Sequence, residues 1–165
     1  MTVEYLHRIF LRDLAALRRE LEAYAQEADI WACPQGIANS AGTLALHLAG
    51  NVQHFIGAQL GATGYVRDRD AEFGDRDVPR TTLIAHVEQA TRAVDDTLHS
   101  LPEARLAEPY PLEVGGVRLS TGLFLMHLAA HLGYHLGQID YHRRIVTGAG
   151  EAVAAQSVAA LARPA

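Results

Sequence analysis

The stretch from Ser120 to Gly148 constrains the fold more than any other. Ser120 or Thr121 is placed to start a helix there, and Gly148 and Gly150 are placed to end it after about Thr147. At about 1.5 Å per residue this helix spans on the order of 40 Å. The rest of a 165-residue chain must therefore pack along one long rod. Three further segments carry the same three-and-four apolar spacing. Val3, Leu6, Ile9, Phe10, Leu14, Leu17, Leu21 and Tyr24, with Asp13 among them, predict an amphipathic helix of about seven turns. Asn39 or Ser40 can cap a second helix carrying Leu44, Leu46, His47, Leu48, Asn51, His54, Phe55 and Leu60 up to Gly61. Thr81 or Thr82 can cap a third, with Leu83, Ile84, Val87, Ala90, Val94 and Leu98 on its apolar face.

Two long connections separate these helices. Residues 62–79, rich in Gly, Asp and Arg, read as a surface connection, with Arg67 to Asp70, Glu72 and Asp75 to Asp77 mutually paired and solvated. Residues 102–118 form the other, and Gly115-Gly116 between alternating residues can make a short hairpin. Four long helices with little strand predict an all-α four-helix bundle. The link between helices 2 and 3 exceeds what an antiparallel neighbour needs, so it reads as a crossover with those two helices parallel. Residues 1–149 are expected to form one domain, with 150–165 an Ala-rich tail that is a short helix or disordered.

Composition narrows the function. Hydrophobic residues make up 49% and charged residues 20%, as in ordinary globular chains. A formal net charge of -5 argues against a nucleic-acid binder that works by neutralising phosphates. No long apolar run is present, so neither a membrane span nor secretion is expected. A single cysteine, Cys33, excludes an intramolecular disulfide and a cysteine zinc cluster and fits a cytoplasmic protein. With no base beside it in the sequence, Cys33 reads as loop packing rather than a nucleophile.

Histidine is the outlier, at nine residues. His127, His131, His135 and His142 follow one another at intervals of four, four and seven, which puts them within a stripe of about 80° on the fourth helix. His47 and His54 lie on one face of the second helix, with Asn51 between them. Two imidazoles one turn apart can meet a single ion at about 2.0–2.1 Å; alone, such a pair is as readily packing or solvation. Leu128, Leu132 and Ile139 accompany the stripe, and an inward imidazole without a partner is costly. A shared metal removes that cost, as does pairing with carbonyls, carboxylates or water. His127 could be an extra ligand, a proton shuttle or an imidazole bonded elsewhere. His54, about 10 Å along the axis from His47, is too far for the same ion. Gln138 and Asn51 are candidates to hold the other nitrogens of ligating rings, and Gln138 could equally join two helices. Gly57 and Gly133, costly inside helices, suggest close approaches.

The segments "NSAGTLALHLAGN", "HFIGAQLGATGYVRDRDAEF" and "HLGYHLGQI" resemble the DinB-like (DinB/YfiT-like) superfamily of bacterial helical proteins, over roughly residues 1–147. The resemblance implies an up-down-down-up topology and frequent homodimers. It also implies a divalent metal, often nickel or zinc, held by His47, His131 and His135. Some members of that superfamily are S-transferases and isomerases that use low-molecular-weight thiols. The expected function is a metal-dependent enzyme of thiol S-transferase type acting on a small electrophilic substrate, or less directly a hydrolase, with Tyr134, His127 and Asp140 as unranked candidates for the base. The alternative is a dimeric helical module whose metal site is structural or vestigial, which a fourth protein ligand closing the site would indicate.

Overall fold

A computed structural model describes residues 2–153 and 157–162. Among them the chain is all-helical, with two isolated bridges as its only extended pairings. Its helices are α1 (Thr2–Glu22), α2 (Ala41–Val52), α3 (Gln59–Gly61), α4 (Arg69–Gly74), α5 (Arg80–Ser100), α6 (Thr121–Thr147) and α7 (Val158–Leu161). A π-helical stretch, Gln53–Ala58, runs directly from α2 into α3. None of these helices is long and apolar enough to cross a membrane.

The apolar periodicity accounts for the core. Leu6, Phe10, Leu14, Leu17 and Leu21 of α1 are buried against Leu44, Leu48, Val52 and Ile56 of the second segment, Leu83, Val87 and Val94 of α5, and Leu125, Leu128, Leu132, Leu136 and Ile139 of α6. Helix α1 ends after about six turns, not seven, and Tyr24 beyond it is buried. Both α1 and α2 lie against α5 and α6. The start of α1 meets the far end of α5 and the turn that follows it, where His7 pairs with Asp95 of α5 (2.7 Å) and Thr2 N–H donates to Glu103 (2.8 Å). The end of α1 meets the end of α6 through Glu20–Arg143 and Tyr24–His142 (both 2.6 Å). Beyond α2, Gly57 of the π-helical stretch faces Ala93 of α5 and Gly61 of α3 faces Thr97 of α5. The close approach expected at Gly57 is therefore present, whereas Gly133 faces open space and marks none.

Ser40 caps α2 by accepting from Thr43 N–H (3.1 Å), and Ser120 caps α6 from Leu123 N–H (3.4 Å). Gly148 closes α6 at φ 69°. The expected caps on α5 are corrected: Pro79 occupies that position, so Thr81 and Thr82 lie inside the first turn and neither caps it. Proline already sets a φ suited to a helix start, so the segment begins without a side-chain acceptor. The Gly115-Gly116 turn forms with both glycines at positive φ. It closes single bridges, Val114 to Val117 and Pro109 to Ser120, rather than strands.

The reading of residues 62–79 as a plain surface connection is also corrected. Asp68 accepts from Ala71 N–H (2.9 Å) and starts α4, which packs against α2 and carries the buried Glu72. Of the expected tail, α7 is a short helix whose Leu161 carbonyl accepts from Arg8 (3.1 Å). Residues 154–156 and 163–165 of that tail lie outside the described residues.

Candidate metal centre

The repeat of α6 sets His131 and His135 one turn apart on one side of the helix, and α2 brings His47 opposite them. One nitrogen from each ring lies within 4.8 Å of the other two. His47 Nε2 and His131 Nε2 are 3.4 Å apart. Two nitrogens at 2.0–2.1 Å from a tetrahedral ion are separated by about 3.3–3.4 Å, so this spacing suits a shared cation. His47 is buried, and the other two rings are half-buried.

The far sides of two rings are already held. His47 Nδ1 faces a Glu72 oxygen at 3.1 Å, and Arg67 grips the same carboxylate through two bonds of 2.6 and 2.7 Å. Gln138 Oε1 lies 2.6 Å from His135 Nδ1. The Glu72 and Gln138 oxygens suit a proton on each Nδ1, which frees the Nε2 lone pair for a metal, while the Arg67 guanidinium also lies 3.3 Å from His47 Nδ1. His131 Nδ1 is buried and, among the described residues, has no hydrogen-bond partner; the same holds for Asn51 Oδ1 one turn beyond His47. Asn51 thus lines the cavity rather than holding a ligand ring.

Electrostatics disfavour the charged forms of His131 and His135. Burial pushes His131 down to about 4, helped by the neighbouring His135 and His47, and burial also lowers His135. Burial acts to raise Glu72, but hydrogen bonds from Arg67 and His47 outweigh it and hold the carboxyl below its usual range. A histidine depressed in the folded state binds fewer protons there than in the unfolded chain. The metal-free fold is therefore expected to lose stability as pH falls from about 6.5 towards 4. The His131→Gln variant should show a shallower loss across that window. Thermal unfolding as a function of pH reads this directly, and equal slopes would remove His131 as the cause.

The other candidates separate cleanly. His127 is exposed and lines the cavity beside the cluster, its ring 6.3 Å from that of His131. His54 is half-buried against Phe55 and outside the cluster. His142 is correctly placed on the histidine face by its spacing, yet it serves the core: it lies between the Tyr24 hydroxyl (2.6 Å) and the Ala32 carbonyl (2.7 Å). Tyr134 is 66% exposed beside His135, and Asp140 is taken up by Arg143 and Arg144. Cys33 is free and exposed.

Sequence reasoning missed Arg67 and Glu72, which it treated as part of a solvated charge run. The signal was present in "DRDAEFG", where Asp68 supplies a cap and Gly74 an end for a one-turn-plus helix. A second clue is Gly50, where any Cβ would collide with the Glu72 carboxylate. Glu72→Gln should weaken metal binding roughly 10- to 100-fold, the usual effect of losing a group that orients a ligand ring. Competition with a chromogenic chelator measures it, and an unchanged affinity would show that the carboxylate is not needed.

The helices and the cluster define an all-helical protein with a three-histidine centre able to hold a metal ion, beside a cavity of about 430 Å³. The chain belongs to the family described as "Protein of unknown function (DUF1572)", whose sequence profile matches residues 3–153. No protein of curated function matches it.

Proposed function

We propose that His47, His131 and His135 hold one divalent ion, nickel or zinc, in a DinB-like metal-dependent enzyme of thiol S-transferase type that acts on a small electrophilic substrate. The observation that carries this reading is the convergence of three imidazoles, two already oriented from behind, on the wall of a cavity rather than in a closed core. Among the described residues no fourth group joins the three. Structural zinc sites normally close with four protein ligands, so three favour an exchangeable, reactive centre over the alternative of a structural or vestigial site.

When bound, a divalent ion supplies Lewis acidity that makes a thiol or a water a better nucleophile at neutral pH. The chain's own residues do the rest. Glu72 and Gln138 fix two ring orientations, and Phe55, Phe73 and Phe124 supply apolar wall to the cavity. Of the three candidates for the base, His127 is the one that lines the cavity, so it would take the thiol proton as sulfur bonds to the electrophilic carbon and the bond from that carbon to its leaving group breaks, and would pass the proton on to the departing group.

The same reading includes the up-down-down-up order of α1, α2, α5 and α6, supported by the way their ends meet. It includes a homodimer covering the exposed Leu123, Met126, Tyr134, Tyr141 and Ile145 of α6. A cytoplasmic location is supported by the single free thiol. The test of the reaction is thiol consumption by the nickel- or zinc-loaded protein with bacillithiol, mycothiol or glutathione against a panel of electrophiles. Consumption above the metal-free control is expected with one of these thiols; none with any of them removes the transferase reading.

A further inference from the structure

A second cavity, of about 290 Å³, abuts the one beside the histidines. Leu112, Val117 and Leu119 of the Gly115-Gly116 turn region line it, and Val114, Phe124 and His127 line both cavities. Its walls are apolar apart from His127 and the Tyr110 hydroxyl, which is spent on the Phe55 carbonyl (2.6 Å). The first cavity is mixed, with Phe55, Phe73 and Leu128 sharing its wall with the histidines. No carboxylate lines it, while Arg67 and Arg69 both do. Arg67 is neutralised by Glu72, but the Arg69 guanidinium lies over the Phe73 ring (5.0 Å from its centre) and is exposed. No acidic side chain is bonded to it among the described residues.

An apolar chamber joined to a cation-lined one selects for a ligand with both characters. We infer that the substrate is a single-chain amphiphilic anion. Its charged end faces Arg69 beside the histidine centre, and its hydrocarbon part lies in the chamber under residues 109–120. Size limits the tail: about 290 Å³ takes on the order of ten groups of water size, enough for one short chain or a single ring and too little for a two-chain lipid. Charge complementarity sets the head, because an anionic end gains a charge-assisted hydrogen bond from Arg69 that a neutral end does not. This assignment rests on the reading above only for the statement that the charged end lies next to a reactive centre.

Binding of straight-chain carboxylates to the full-length protein, as purified and after chelation, tests it by calorimetry or ligand-observed NMR. From butanoate through hexanoate to octanoate, affinity should rise roughly fourfold per CH₂, the equivalent of about 0.8 kcal/mol for each methylene that leaves water. Val117→Glu places a charge at the exposed rim of the chamber and should flatten this series without harming the fold. Arg69→Gln, also at an exposed position, should weaken octanoate roughly tenfold, in the range for a charged hydrogen bond, and leave octan-1-ol unaffected. A flat series in the parent protein, or octanol binding as tightly as octanoate, would overturn the inference. Metal content measured on the same preparations separates the two readings. A rising series in a protein that takes no nickel or zinc keeps the chamber and removes the metal enzyme, and a metal-loaded protein with a flat series does the reverse.

Discussion

Replacing His131 with alanine is expected to strip the protein of its metal. Natively purified parent protein should carry close to one nickel or zinc per chain, and His131→Ala should carry almost none. Loss of a group that merely orients a ligand costs roughly 10- to 100-fold in affinity, and removal of a ligand itself should exceed that. His47→Ala and His135→Ala should behave alike, because the three nitrogens converge within 4.8 Å. His127→Ala should keep the full complement, since its ring lies outside the group. Elemental analysis gives the stoichiometry and circular dichroism shows that the variants fold. Equal metal in parent and His131→Ala would falsify the assignment.

The largest effect on stability is expected far from that centre. Arg143 is 2% exposed and its Nε donates to Glu20, itself fully buried, at 2.6 Å. Arg143→Met leaves a carboxylate inside the core without its cation, a change that costs about 3–5 kcal/mol. At about 2–4 °C per kcal/mol for a chain of this size, the melting temperature should fall by roughly 6–20 °C. Burial already holds the Glu20 carboxyl above the usual carboxylate range, against the pull of Arg143. Without the cation it takes up a proton more readily. The deficit should therefore be smaller at pH 5 than at pH 7, because the folded variant then binds more protons than the unfolded chain. Glu20→Leu combined with Arg143→Met should recover most of the loss, since the desolvation cost disappears with the charge. A double variant as unstable as the single one would show that lost packing, not the stranded carboxylate, is responsible.

What could be read beforehand divides along physical lines. Periodicity reports burial on one face of a regular element, so the four long helices and the residues of their core were legible. So was the grouping of His131 with His135, which depends only on the pitch of α6. The partnership with His47 came from resemblance, because no local rule says which face of α2 meets α6. Periodicity also could not tell His142 from its neighbours. All share a stripe, but His142 is surrounded by the Tyr24 hydroxyl and the Ala32 carbonyl, which lie more than a hundred residues away in sequence. Arg67 and Glu72 were hidden for another reason. A run of mixed charges reads as solvated on average, and the average fails where a short helix turns one acidic side chain inward.

That short helix has a consequence for how the centre can change. The carboxylate behind His47 is carried by α4, inside the connection between α2 and α5, not by one of the long helices that make the core. Connections accept insertions, deletions and substitutions far more readily than packed helices do. The affinity proposed for the three-histidine centre is therefore expected to be retunable by edits within residues 62–79 while the scaffold stays as it is. Among descendants of a common ancestor, diversification of chemistry is expected to concentrate in that stretch, with the imidazoles themselves left untouched.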